Sequence, residues 1–215
     1  MTRAAPVVGG GSGMGAGAAR QLHADGYQIG ILSSPGKGEA LAKELGGIGV
    51  TGSHRSNNEM QGIVLKSILA VICIGMLVNS AGHGPRDEIN AVRAAALVTP
   101  AMAAQKQGTI INFSTFAAFE PDPVCPISAV FRAGLAAHTK LFADKHSADN
   151  VRMNNILPGF IDSLAEKDEV RDRIPMPRYG RVDEIAATIS FPASAGGGYI
   201  TGQNIRVDGG ITRSV

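Results

Sequence analysis

Val8-Gly9-Gly10-Gly11-Ser12-Gly13-Met14-Gly15-Ala16-Gly17 is the stretch that decides the fold of this 215-residue chain. A short apolar run, Pro6 to Val8, leads into it, and an alanine-rich segment with helical character, Gly15 to Ala24, leads out. A strand that passes through a glycine turn into a helix gathers bare backbone N–H groups and the positive pole of the helix at one point. Such a point holds an anion, and glycines let the backbone turn tightly and come close to a pyrophosphate. A G-x-G-x-x-G pattern is weak by itself; the strand–turn–helix context gives it weight. On this reading Gly9, Gly11, Ser12, Gly13, Met14 and Gly15 form a dinucleotide cradle. The competing reading is a flexible turn without a ligand.

Outward from the turn, strand-like and helix-like segments alternate to the end of the chain. Tyr27 to Leu32, Ile48 to Thr51, Ile72 to Asn79, Thr109 to Phe113, Val151 to Leu157 and Tyr199 to Val207 read as strands. Glu39 to Leu45, Asn58 to Leu69, Ile89 to Gln105, Ser128 to Lys145 and Asp183 to Phe191 read as helices. The strand segments are continuous apolar runs, as a sheet covered on both faces requires. The alternation predicts an α/β fold, a Rossmann-type doubly wound parallel sheet, in a single domain spanning 1–215. No internal repeat or linker divides it.

Composition narrows the function classes. Apolar residues make up 44% of the chain, enough for a substantial core, and the formal net charge is +2. Near-balance gives no reason to expect nucleic acid or a membrane surface as partner. Two isolated cysteines, Cys73 and Cys125, make neither a disulfide framework nor a zinc or redox pair. No His, Cys and carboxylate cluster has metal-ligand spacing, so no metal is expected. The N-terminus lacks the apolar core of a secretory signal, and the longest apolar stretch, Ile68 to Val78, falls short of the roughly 20 residues that span a bilayer. A cytoplasmic setting is expected.

Several motifs in the right order resemble the short-chain dehydrogenase/reductase family across nearly the whole chain. Its T-G-x-x-x-G-x-G opening is matched by Val8 to Gly15, with all three glycines and without the threonine. Its N-N-A-G is matched by Asn79-Ser80-Ala81-Gly82, and its P-G-x-x-x-T by Pro158-Gly159-Phe160-Ile161-Asp162-Ser163. Arg178-Tyr179-Gly180 before Asp183-Glu184-Ile185-Ala186, and the run from Tyr199 to Gly210, are similar to the family's last helix and closing strand. The pattern is most similar to bacterial oxidoreductases of the 3-oxoacyl-carrier-protein reductase type. The resemblance implies that Asn79, Ala81, Gly82, Pro158, Gly159, Ile161 and Ser163 border the cofactor, with Ile161 and Ser163 facing the nicotinamide.

The resemblance also implies an Asn–Ser–Tyr–Lys catalytic set, and here the chain departs from it. Asn90 matches the asparagine, although fewer residues than usual separate it from Gly82. Thr115 is the direct match to the serine, with Ser114 beside it. The tyrosine position is Ser128 and the lysine position is Arg132, which also falls to the cofactor ribose. An alkyl hydroxyl is a far weaker acid than a phenol, whose pKa lies near 10. Arginine keeps the charge of lysine with a different geometry. The other reading of Ser128, an N-cap opening a long helix, ranks above a catalytic role. Phe116, Phe119 and Phe160 are candidates for an apolar pocket wall, with Phe113 in the core. Glu166 to Arg173 reads either as an exposed helix over the substrate site or as a solvated face with no such role.

The end of the second strand decides the cofactor, because an acid there repels a 2′-phosphate. Ser33 stands at that position, followed by Ser34 and Lys37, and Arg55 lies near the end of the third strand. NADP(H) is therefore favoured over NAD(H). The expected activity is hydride transfer to or from a small carbonyl or alcohol. The alternative is a non-catalytic dinucleotide-binding protein, a sensor or scaffold subunit. The resemblance implies a homotetramer or homodimer paired through the two long helices.

Overall fold

The computed structural model describes residues 3–34, 36–53, 57–70, 73–80 and 87–214. Among these the chain runs β1 (Arg3–Val8), α1 (Gly13–Ala24), β2 (Tyr27–Ser33), α2 (Lys37–Glu44), β3 (Ile48–Thr51), α3 (Asn57–Ala70), β4 (Cys73–Ile74), β5 (Met76–Asn79), α4 (Asp87–Ala104) and β6 (Gly108–Phe113). It continues with α5 (Pro126–His146), β7 (Val151–Pro158), the one-turn α6 (Asp168–Arg171), α7 (Val182–Ala193) and β8 (Asn204–Val207). The eight described strands form one parallel sheet in the order β3-β2-β1-β5-β6-β7-β8, with β4 pairing β1 below β5. The expected doubly wound Rossmann-type sheet is present.

Two apolar layers hold the sheet. Ile29, Ile31, Val78 and Ile111 point to one face, against Ala18, Ala19 and Leu22 of α1 and Ile185 and Ile189 of α7. Leu32, Leu77 and Ile110 point to the other, against Met60, Ile63, Val98 and Met102 of α3 and α4 and Phe142 of α5. Alternate residues of one strand serve opposite layers, so a parallel strand reads as an unbroken apolar run.

Three local expectations change. Within the single strand expected from Ile72 to Asn79, the described residues form two, Cys73–Ile74 and Met76–Asn79, broken at Gly75, where a Cβ would lie 2.8 Å from the Tyr27 ring and 2.9 Å from Arg3. The last strand begins at Asn204, not Tyr199. Asn154 holds residues 200–203 in a turn, its carboxamide donating to the Ile200 carbonyl (3.0 Å) and accepting from Gln203 N–H (3.0 Å), and Tyr199 is fully exposed. Ser128 is not an N-cap: Pro126 starts α5 a turn earlier, Cys125 takes the cap position, and Ser128 lies inside the helix.

Candidate active site

The strand order reverses between β1 and β5, whose last residues, Val8 and Asn79, pair directly. Ligands of open α/β sheets bind in the crevice at such a reversal. The glycine turn stands there. Gly9, at φ 80°, donates its N–H to the Leu32 carbonyl (2.7 Å). Gly13 has φ 52°, a left-handed conformation that favours glycine. A Cβ on Gly15 would lie 2.3 Å from the Gly9 carbonyl oxygen, and one on Gly11 would lie 2.8 Å from Ser33 Oγ. The turn therefore closes tightly on itself and on β2. Ser12 sits extended at the N-cap of α1 without a side-chain capping bond, and no acid occupies the first turn of this 12-residue helix. Its positive end has no anionic side chain of its own to face. A pyrophosphate fits this cradle. Ser163, beyond β7, lies across from the turn, 3.5 Å from where a Gly13 Cβ would stand.

At the end of β2, Ser33 packs beneath Gly11 and Gly38 and its hydroxyl donates to the Ser34 carbonyl (3.1 Å). Ser34 and Lys37 are exposed, while the nearby acid, Glu39, accepts from Thr51 Oγ1 (2.7 Å). Arg55, Ala81 and Gly82 lie outside the described residues.

Asn79 begins a feature that sequence reasoning missed. Register places Asn79, Asn112, Asn155 and Asn204 side by side on four adjacent strands. Asn79 Nδ2 donates to Asn112 Oδ1 (2.8 Å), Asn112 Nδ2 to Asn155 Oδ1 (3.0 Å), and Asn155 Nδ2 to Asn204 Oδ1 (2.7 Å). Thr139 of α5 also donates to Asn155 Oδ1 (2.9 Å). Asn79, expected beside the cofactor, thus spends its N–H on the sheet, while its Oδ1 is buried without a partner.

Two more unpartnered buried groups lie near the same sheet edge: Asn90 Nδ2 on α4 and Ser114 Oγ just past β6. Asn90 Oδ1 accepts from Arg93 (3.4 Å). Thr115, extended, accepts from Ala117 N–H (3.0 Å) and so caps the short 3-10 turn Phe116–Ala118. On α5, Ala129, Arg132, Leu135, Ala136 and Thr139 form the buried face, and Thr139 reaches Asn155. A helix crossing back over parallel strands puts its N-terminal end above their carboxyl ends, so Ser128 and Arg132 stand at the sheet edge. Arg132 Nε donates to Ser128 Oγ at 2.9 Å, and the guanidinium side chain is buried. Ser128 and Arg132 are thus a hydrogen-bonded i, i+4 pair on α5.

Beyond β7, Gly159 passes so close to Asp208 that a Cβ would lie 2.8 Å from its Cα. Ile161, 3% exposed, belongs to the core layer that includes α1 and α7. Phe116, Phe160 and Tyr179 form a row with centroids 6.1 and 5.7 Å apart, and Tyr179 Oη accepts from Lys167 N–H (3.3 Å). The row joins the segments after β6 and β7 to the segment before α7. Phe113 packs partly buried against the core, and Phe119 is half exposed. Of Glu166 to Arg173, only Asp168–Arg171 is helical. Glu184 accepts two bonds from Arg178 (both 2.8 Å) and one from Arg181 N–H (2.8 Å), and the Arg178 guanidinium holds its carboxyl down to about 2. Among the described residues no group of three or more His, Cys, Asp or Glu is placed to hold a metal ion, and no helix is long and apolar enough to cross a membrane.

A family profile described as Enoyl-(Acyl carrier protein) reductase matches residues 88–212. With the parallel sheet and the glycine turn at its reversal, this places the chain plainly: it belongs to the short-chain dehydrogenase/reductase family, a family of NAD(P)-dependent oxidoreductases. It is 28% identical to 3-oxoacyl-(acyl-carrier-protein) reductase FabG of Staphylococcus epidermidis over 242 aligned residues, covering 98% of this chain and 99% of that one. It is 36% identical to FabG of Thermotoga maritima over 122 residues, 54% of this chain and 50% of that one. Among solved structures it is similar to YwfH, an NADPH dependent reductase involved in bacilysin biosynthesis, with TM-score 0.90, 23% identity and all of both chains covered. Acetoin dehydrogenase YohF from Salmonella typhimurium gives TM-score 0.88 at 24% identity, covering 100% and 99%. At these identities the structural likeness is one of fold.

Proposed function

We propose that this chain is a cytoplasmic, single-domain oxidoreductase that favours NADP(H) over NAD(H) and acts on a small carbonyl or alcohol at a site built on Ser128 and Arg132. The glycine turn carries this reading: it is too tight for side chains at Gly11 and Gly15, and it stands at the sheet's reversal on an uncapped helix. Gly9 to Gly15 would hold the pyrophosphate, and the backbone of Pro158, Gly159 and Ile161 with Ser163 would border the nicotinamide. Ser34, Lys37 and Arg55 would meet the 2′-phosphate, with Glu39 turned to Thr51. When bound, the nicotinamide supplies or takes the hydride.

The chain's own residues orient the substrate oxygen. Ser128 Oγ accepts from Arg132 Nε, which leaves the serine proton free to donate and polarises the hydroxyl toward donation. Ser114 Oγ, unpartnered and buried, offers a second donor. Thr115 Oγ1 accepts from Ala117 N–H, so its proton is also available. Asn90 Nδ2 supplies a fixed donor on α4. These groups hold a carbonyl by hydrogen bonds, without the phenol that the family uses.

Titration with NADPH and NADH, followed by a screen of small ketones, aldehydes and alcohols, tests the reading. NADPH is expected to bind more tightly than NADH by about tenfold or more, a difference of about 1.4 kcal/mol. Turnover is expected to fall in Ser128→Ala and to rise in the Ser128→Tyr, Arg132→Lys double variant. Absence of binding to any pyridine nucleotide ends the proposal. Tight binding with no turnover of any substrate supports the second reading, a sensor or scaffold subunit; the weak acidity of a serine at the proton-donor position favours it. We place assembly, as a homodimer or homotetramer, on the long helices, where α5 exposes Ile127, Val130 and Leu141.

A further inference from the structure

The segment that follows β8 folds back on the loop between β6 and α5, and it does so through one carboxylate. After Val207 the chain turns at Asp208, whose carboxylate accepts from Gly210 N–H (2.9 Å), Thr212 N–H (3.3 Å) and the Thr212 hydroxyl. Gly209 and Gly210 take φ of 64° and 86° to make the turn. The next two residues then meet Glu120: Oε1 accepts from both Arg213 N–H and Ser214 N–H, each at 2.5 Å. Arg206 of β8 closes the arrangement. Its guanidinium donates to the Ser214 carbonyl and hydroxyl and lies over the Phe119 ring, 5.6 Å from the centroid. Phe119 and Glu120 are thus gripped from one side by a strand side chain and from the other by the backbone beyond that strand.

We infer that Glu120 is a positioning residue: with Arg206 and residues 213–214 it forms a clasp that fixes the wall of the candidate active site between Thr115 and α5. This rests on the oxidoreductase reading proposed above. The gripped loop carries Thr115 at one end and leads to Ser128 at the other. It also carries Phe116, the first ring of the row that continues to Phe160 and Tyr179. The row sets the wall against the segments after β7; the clasp sets it against β8. Two backbone N–H groups donating to one carboxylate make strong, charge-assisted bonds. They also hold the Glu120 carboxyl below the usual carboxylate range, Ser214 N–H contributing most. Phe116, Phe119 and Glu120 therefore keep one arrangement when a substrate arrives, which lowers the ordering cost of binding.

The test compares Glu120→Ala, Glu120→Gln and a chain terminated after Thr212, by amide hydrogen exchange and steady-state kinetics. In Glu120→Ala and in the shortened chain, exchange in residues 116–120 is expected to quicken about tenfold or more while β6 is unchanged, the signature of local opening. KM for the carbonyl substrate is expected to rise about fivefold or more, with kcat and the NADPH affinity within about twofold. The Gln side chain still offers one oxygen to both N–H groups and restores both properties. Unchanged exchange at 116–120 in Glu120→Ala overturns the clasp. Faster exchange accompanied by equal loss of KM, kcat and cofactor affinity overturns the positioning role. A protein that turns over nothing defeats the oxidoreductase reading alone, because the exchange arm still decides the clasp.

Discussion

Asn112 lies between two carboxamides, accepting from Asn79 and donating to Asn155 in a layer shut off from water. Buried amides are tolerated only when paired, and leaving one unpaired costs about 1–3 kcal/mol. Asn112→Ala strips a partner from Asn79 Nδ2 and from Asn155 Oδ1 together. Urea denaturation is expected to show a loss of about 3 kcal/mol; a loss below about 1 kcal/mol would mean that the ladder contributes little. Gly15 gives a second prediction at this scale. Alanine there drives a Cβ into the Gly9 carbonyl, so the turn must open, and pyridine-nucleotide affinity is expected to fall more than about tenfold by calorimetry. The glycine was legible in the sequence because its requirement is local: strand, turn and helix adjoin in the chain. The ladder was not legible. Four asparagines scattered between 79 and 204 become neighbours only once the register of four parallel strands is set, and each alone reads as a polar interruption of an apolar run. Glu120 was hidden for the same reason, its partners lying more than 90 positions along the chain.

At the scale of elements, period and composition found each long helix and every strand except the break at Gly75 that parts β4 from β5, and elsewhere the ends were what changed. The start of α5 moved because Pro126 suits a first helical turn, and that shift alone takes Ser128 off the cap and puts it on Arg132. The end of the sheet moved because Asn154 and Arg152 hold residues 197–203 in turns, Arg152 reaching the Pro192, Gly197 and Ile200 carbonyls. The start of α7 shows what the motif around Arg178 does physically. Glu184 fastens the segment before the helix, and Asp162 accepts from Val182 N–H (3.0 Å), so the segment after β7 is anchored to the same helix end. The Glu184 carboxyl, ordinarily near 4.5, is held at about 2, below its unfolded value. A depressed folded value stabilises the protein above the unfolded pKa, and that contribution disappears as pH falls from about 4.5 toward 2. Thermal melts of Glu184→Gln are expected to be lower than those of the native chain at neutral pH and to approach them as the pH falls through that window. Melting curves that stay parallel across it would show that the ion pair does not contribute.

Across the whole molecule, the outward face of α5 carries Ile127, Val130 and Leu141, each at least 60% exposed, with Gly134 and Ala137 between them. Spacings of three, four and seven keep these on one side of the helix, an apolar stripe with small residues in its middle. Val130→Glu is expected to shift sedimentation toward the monomer while leaving the NADPH affinity within about twofold. An unchanged sedimentation profile would remove this stripe from the assembly. The glycine at position 17 has a different reach. It lets α1 lie so near α7 that any Cβ would stand 2.4 Å from a Val182 methyl, and Ile185 and Ile189 complete the layer over Ala18 and Leu22. Helix α1 therefore waits for α7: until residue 193 has been translated, Ala18 and Leu22 lack the Ile185 and Ile189 that cover them in the finished fold.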